Sequence, residues 1–250
     1  MAERTSYAPG TFSWVELVTS DADAAKAFYT EVFGWDYLDN PVGDGMVYST
    51  ALVDGRAAGA LFASTEQPPH WNCYVTVASV DEATRRAGEL GATVMAEPFD
   101  VMDVGRMSVI ADPTGAALSL WEARRHIGAA VVNQPGALTW NDVITPDPDA
   151  AARFYGELFG WTFVDIPDSG GYRVIRNGER SNGGMTSREG APPSWLPYFG
   201  HEDVGALHAR VGELGGRALS EPLAVPSGRF ALFADPQGAV FAALTGDYDD

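Results

Sequence analysis

The sequence predicts an α+β protein made of four β-α-β-β-β units in two tandem modules. Three observations predict it. The segment Trp14 to Trp35, WVELVTSDADAAKAFYTEVFGW, returns 126 residues later as WNDVITPDPDAAARFYGELFGW, with twelve of 22 positions identical. A fixed-offset copy of that length marks an internal duplication. A second pair of copies, ELGATVMAEP at 89–98 and ELGGRALSEP at 213–222, recurs in the same order. Around these copies, an alternating strand pattern, a helical 3–4 spacing and three further short strands succeed one another four times.

Residues 1–10 read as a loose arm. Phe12 to Thr19 alternates as a strand, with Trp14, Glu16 and Val18 sharing one face. Ser20 or Asp21 then opens a helix through Phe33, whose apolar residues Ala25, Phe28, Tyr29, Val32 and Phe33 form one stripe, with Gly34 as its left-handed stop. Strands near 35–40, 46–53 and 57–63 follow, separated by the turns Val42-Gly43-Asp44-Gly45 and Asp54-Gly55. The second unit has a strand at 71–78, a capping box at Ser79-Val80-Asp81-Glu82, and a helix ending at Gly91. Its last strands lie near 93–97, 105–111 and 116–122, with Asp112-Pro113-Thr114-Gly115 as a hairpin turn.

The second half repeats this order: a strand at 138–145, a helix at 147–159, a strand at 195–201, a helix at about 204–214 and the turn Asp235-Pro236-Gln237-Gly238. The expected organisation is an arm at 1–10, a module at 11–122, a connector at 123–136, a module at 137–246 and an acidic tail at 247–250.

The formal charge is −18, and Lys26 is the single lysine. Such a surface repels phosphate backbones and anionic headgroups, which argues against nucleic acid and membrane partners. Acidity of this kind keeps a protein soluble; it could also draw a cationic ligand. Cys73 stands alone, so no disulfide closes within the chain. The N-terminal residues show no basic region followed by an apolar run, and no stretch of 18 apolar residues occurs, so the expected location is cytoplasmic.

A helix carrying A-x-x-FY-x-x-x-FGW (Ala25 to Trp35, repeated at Ala151 to Trp161), followed later by a DPxG hairpin, resembles the vicinal oxygen chelate superfamily of glyoxalases, extradiol dioxygenases and bleomycin-resistance proteins. The tandem arrangement looks most like an actinobacterial branch labelled glyoxalase-like or hydroxylase. The resemblance implies that paired units curl their sheets into cups, each able to hold a divalent metal on two histidines and a glutamate. Counting places those ligand positions at Trp14, Asn72 and Ser119 in the first cup, and at Trp140, Leu196 and Ala242 in the second. Indole, amide, hydroxyl and alkyl groups are poor or impossible transition-metal ligands, so no metal and no other cofactor is expected. Glu122 lies three residues past the ligand position and would face the other side of its strand. The four histidines, His70, His126, His201 and His208, show no ligand spacing.

Alternation places Glu16 beside Trp14, and Asp142 beside Trp140. A carboxylate against an indole is desolvated, which raises its pKa and suits it to acid–base work. The structural alternative is a carboxylate satisfied by Arg106 or Arg229, which repeat in register. Asn72, Tyr74, Ser119 and Trp121 should line the first cup, and Leu196, Tyr198 and Ala242 the second. Trp71 and Trp195 should face the helices. The more polar and aromatic first cup is the better expected site. Gly170-Gly171 and the loop Ser181-Asn182-Gly183-Gly184 could gate the second cup or serve as surface turns.

Two functions compete. One is metal-free binding of a small aromatic or cationic metabolite, as a resistance or sequestration protein. The other is a metal-independent enzyme using Glu16 or Asp142; a metal-dependent lyase or dioxygenase fits the ligand positions less well. The expected partner is a small molecule, and a monomer or a homodimer would serve.

Overall fold

A computed structural model describes residues 2–43 and 45–248. Met1 of the arm, Asp44 of the first predicted turn, and Asp249 and Asp250 of the tail lie outside the described residues. A two-residue strand β1 (Ala2–Glu3) precedes the first unit: β2 (Phe12–Thr19), α1 (Ala22–Phe33), β3 (Asp36–Gly43), β4 (Met46–Val53) and β5 (Arg56–Ala63). The second unit comprises β6 (His70–Thr76), α2 (Val80–Glu89), β7 (Thr93–Val101), β8 (Gly105–Ala111) and β9 (Ala117–Ala123). After β10 (Val131–Val132) the third unit has β11 (Leu138–Ile144), α3 (Pro148–Phe159), β12 (Thr162–Asp165), β13 (Arg173–Asn177) and β14 (Arg180–Thr186). The fourth has β15 (Ser194–Gly200), α4 (Val204–Arg210), β16 (Arg217–Ala218), β17 (Leu223–Val225), β18 (Gly228–Ala234) and β19 (Val240–Gly246).

The helix ends follow from the predicted caps. The Asp21 side chain accepts from Ala24 N, Gly34 turns left-handed at φ 69°, and its amide returns to Thr30 O. Asp147 and Gly160 do the same for α3, with Pro148 in its first turn. Ser79 accepts from Glu82 N, but the neighbouring Val80 amide is taken by Glu122 Oε2 at 2.9 Å. Glu122 therefore points to the helix side, as its parity demands.

Units pair within each half. The first sheet runs β3-β4-β5-β2-β6-β9-β8-β7 and the second β12-β13-β14-β11-β15-β19-β18-β16, with β17 also on β18. In each, the two units meet at one antiparallel pair, β2 with β6 and β11 with β15. Parallel pairs flank it on both sides. The helices cover one face of each sheet, and the opposite face curves inward as the cup.

One apolar core runs through both halves on the helix side, from Tyr29 and Trp71 to Tyr155, Trp195 and Phe241. The bonds across this seam come in pairs. Trp35 Nε1 donates to Gly136 O, and Trp161 Nε1 to Gly10 O. Tyr29 Oη donates to Asp235 Oδ2, and Tyr155 sits against Asp112, the matching DP-turn aspartate. Arg86 pairs with Glu157, and Arg210 with Glu31. The halves are thus related by an approximate twofold.

Three expectations need correction. The arm is tied down: β1 pairs with β10, Arg4 N donates to Ala130 O, and Tyr7 Oη to Ala129 O. The fourth helix stops at Arg210, before Gly212, Gly215 and Gly216, which favour turn over helix. Ser181 to Gly184 lie inside β14, held in register with β13, and form no loop. Gly170 and Gly171, with φ of 70° and 89°, form an exposed turn, the surface role expected of them.

Candidate functional site

Each cup is centred on a buried carboxyl group supplied by the central strand of its sheet. Glu16 lies opposite Asn72 and Trp14 opposite Tyr74 in the β2–β6 register; Asp142 lies opposite Leu196, and Trp140 opposite Tyr198. In the first cup, Glu16 Oε1 accepts from Tyr74 Oη at 2.9 Å and from Asn72 Nδ2 at 3.4 Å. The Tyr48 hydroxyl is a further hydrogen-bonding group on this carboxyl and itself accepts from Trp14 Nε1 at 3.1 Å. In the second cup, Asp142 accepts from Tyr198 Oη at 2.6 Å, Tyr172 Oη at 2.8 Å and Trp140 Nε1 at 2.9 Å. The same arrangement occurs twice: one carboxyl group, two tyrosines and one tryptophan.

Burial raises the pKa of both carboxyls, and the tyrosine hydrogen bonds only partly offset it. The tyrosines are pushed upward as well, by burial and then by the neighbouring carboxylate. Each centre therefore holds its proton to higher pH than a free carboxyl does. Gly184 makes room for the second: a methyl there would overlap Tyr172 Oη and Asp142 Oδ1. In the first module the matching position opposite Glu16 is Ala60.

Sequence reasoning brings Trp14, Glu16, Asn72, Tyr74, Ser119 and Trp121 into one cup, and the structure gathers them. Ser119 lies against Tyr74 as a hydrogen-bond partner, and Trp121 Nε1 donates to His126 O. Trp140, Asp142, Leu196, Tyr198 and Ala242 gather in the other. Trp71 and Trp195 face the helices, Trp195 Nε1 donating to Tyr155 Oη. Arg106 does not join. It is one residue out of phase with Met107, which packs in the cup, and instead grips Asp81 at the start of α2 and Asp100. Arg229 likewise alternates with Phe230, which packs beside Tyr198, and is exposed. Neither arginine neutralises a cup carboxylate. The glycine of each Gly-Arg pair is the part that matters locally, since a methyl at 105 would overlap the Trp121 ring.

The two cups differ in access. Residues 124–132, expected to be a plain connector, lie as a strap across the first cup. His126 sets its ring edge-on to Trp14, with centroids 4.6 Å apart, and Ala129 N donates to Ser13 O. Ala129 and Val132 pack on Trp14, Tyr74 and Trp121. Burial lowers the His126 pKa, so a neutral imidazole is favoured there. The first cup, the better site by sequence, is thereby filled. Over the second cup Trp140, Ile144, Val225 and Phe230 remain partly exposed around Asp142.

Tyr48, Tyr172 and His126 are the site residues that sequence reasoning missed. The two tyrosines had a weak signal, each standing five or six residues before an Asp-Gly or Asn-Gly turn.

The sequence pattern of the Glyoxalase/Bleomycin resistance protein/Dioxygenase superfamily matches residues 11–120 and 135–242. The chain belongs to this superfamily. Among its relatives, this glyoxalase-superfamily chain is 44% identical over 255 residues to CFP32 of Mycobacterium tuberculosis, a protein named as a glyoxylase, with 98% of each chain covered. It is 30% identical to the anthracycline biosynthesis protein DauV of Streptomyces sp. strain C5, covering 96% of this chain and 94% of that one. Its fold is similar to that of a Mn(II)-bound glyoxalase from Novosphingobium aromaticivorans, with a TM-score of 0.70 at 16% identity over 96% of this chain and 83% of the other. The dioxygenase LapB from Pseudomonas sp. KL28 gives 0.66 at 15% identity, over 97% and 94%.

A divalent metal, which many superfamily members hold, does not fit the residues present. Trp14 and Trp140 offer no lone pair, and Leu196 and Ala242 offer no donor at all. Glu16 and Asp142 already accept hydrogen bonds from the surrounding tyrosines, and among the described residues no three His, Cys, Asp or Glu side chains cluster. Among the described residues, no helix is long and apolar enough to cross a membrane.

Proposed function

We propose that this superfamily member binds a small aromatic molecule in its second cup without a metal, in the cytosol, as a sequestration or resistance protein. The observation that carries the reading is Asp142, wrapped by Tyr172, Tyr198 and Trp140, beneath the partly exposed aromatic rim of Trp140 and Phe230. A flat ring stacks on such a rim, with the Asp142 carboxyl and its tyrosine hydroxyls as the polar groups below it. Burial works against a charged Asp142, which favours an uncharged aromatic ligand over a cation. A relative named for anthracycline biosynthesis, hence for fused aromatic rings, supports the same ligand class.

The test is a fluorescence titration of the full chain with catechol and with 1,4-dihydroxyanthraquinone, before and after chelation. Saturable quenching that survives chelation and weakens about tenfold or more in Trp140→Ala is expected. Near-stoichiometric Mn, Fe, Ni or Zn in the purified protein would overturn the metal-free reading.

A second reading has its own support in the raised pKa of Asp142 beside the Tyr172 hydroxyl, a pairing that can pass a proton to a bound substrate. Turnover of the bound molecule that disappears in Asp142→Asn while binding persists would make the protein an enzyme. Binding without turnover in either form would leave it a binder.

A further inference from the structure

A cavity of about 360 Å³ lies where the arm, the strap and β11 meet, outside both carboxyl centres. Its size is within the range of small-molecule sites. The chain carries a formal charge of −18, yet the cavity walls hold Arg4 and Arg180 and neither an aspartate nor a glutamate. Arg86, Arg106, Arg124, Arg173 and Arg210 each meet a carboxylate. Among the described residues, no carboxylate pairs with Arg4 or Arg180.

The wall also carries unused hydrogen-bonding capacity. Arg4 Nε and Asn141 Oδ1 are buried without a partner, and Asn141 is 2% exposed. Buried polar atoms are nearly always paired, so two such atoms on one cavity wall need an explanation. The wall is firmly built as well. Asn182 Nδ2 holds Gly10 O and Asn177 Nδ2 holds Pro9 O, each at 2.9 Å, fixing the arm against the second module.

We propose that this cavity binds a small hydroxylated organic anion. Its charged end is held by Arg4 and Arg180, and its hydroxyl donates to Asn141 Oδ1. Arginine is suited to oxyanions because its planar fork of donors keeps its charge at all accessible pH values. The local absence of carboxylates matters more than the count of cations, since the rest of this acidic surface repels the same ligand. Trp140 borders both sites: it lines the cavity, and its Nε1 donates to Asp142 in the cup. Apart from Trp140 the cavity stands on different residues from the proposed cup ligand, and the arginine substitutions test it separately from the cup.

The experiment is calorimetric titration of the full chain at low ionic strength with lactate and with inorganic phosphate. Saturable binding of at least one is expected, weakened about tenfold by Arg4→Ala and by Arg180→Ala, with thermal unfolding unchanged. Asp142→Asn should leave it intact. Lactate binding identifies the anion as a hydroxycarboxylate, whereas phosphate alone identifies a phosphate ester. No saturable binding by either probe, or binding indifferent to both arginine substitutions, overturns the proposal.

Discussion

Glu16 and Asp142 are acids held where water cannot solvate their charge, and their titration therefore couples to folding. Their pKa values are raised by burial, so the folded chain keeps these protons to higher pH than the unfolded chain does. The stabilisation this gives is complete below the ordinary carboxylate pKa and is lost as pH rises through the folded value. Glu16→Gln and Asp142→Asn remove that loss while leaving an amide oxygen to accept from Tyr74 or Tyr198. Denaturant unfolding at several pH values between about 4 and 9 should show a flatter stability profile for the double variant than for the parent. A parallel offset at every pH would mean that neither acid titrates differently on folding. These acids were legible in the sequence because a tryptophan-x-acid pattern recurs in a copied strand. Their tyrosine partners were not. Tyr48 and Tyr172 lie on hairpins where register shifts, at Ala51/Leu52 and Ile175/Arg176, disturb the spacing between the copies. Arg106 and Arg229 mislead for a related reason: repetition in register says nothing about which face of a strand is used, and one residue of phase sends both to the wrong side.

At the scale of elements, the strap at 124–132 decides which cup is accessible. It lacks any hydrophobic period, so nothing in its sequence distinguishes it from a linker; its hold on the sheet comes mainly from backbone bonds to Ser13, Ala57 and Val104. Gly128 permits the closest approach, with φ at 112° and a missing side chain that would otherwise overlap the Ser13 carbonyl. Gly128→Ala should lift the strap, destabilise the chain by about 1–3 kcal/mol, and expose Trp14 and Trp121 to a neutral quencher such as acrylamide. Unchanged quenching would show that the strap closes the cup by other means. Most strands of the first half and three of the four helices were readable to within a few residues, because caps and alternation are local signals; the strap is fixed by distant partners.

For the whole molecule, the seam makes the two halves one cooperative unit. The apolar surface of α1 packs on the other half, as Phe28 does on Phe241, and strands meet across the seam as well, as Phe12 does on Trp195. Heat or denaturant should unfold the chain in a single transition followed alike by far-ultraviolet dichroism and tryptophan emission. Tyr29→Phe strips a hydrogen bond from the buried Asp235 and should lower stability by about 1–3 kcal/mol without splitting that transition. Two separated transitions would show that the halves fold independently.

The paired bonds of the seam also bear on descent. A surface whose contacts are reciprocated under a twofold is self-complementary, the condition for an isologous dimer. An ancestor of half this length with the same seam would have met its own copy there, and both of its cups would have been bound to change together. Fusion removes that constraint. The pairs Glu16 and Asp142, Asn72 and Leu196, and Ser119 and Ala242 are positions that have since gone separate ways, as has access to the two interiors. Joining two equal partners in one chain gave each the freedom to become unequal, one cup closed by the strap and the other keeping its rim partly exposed.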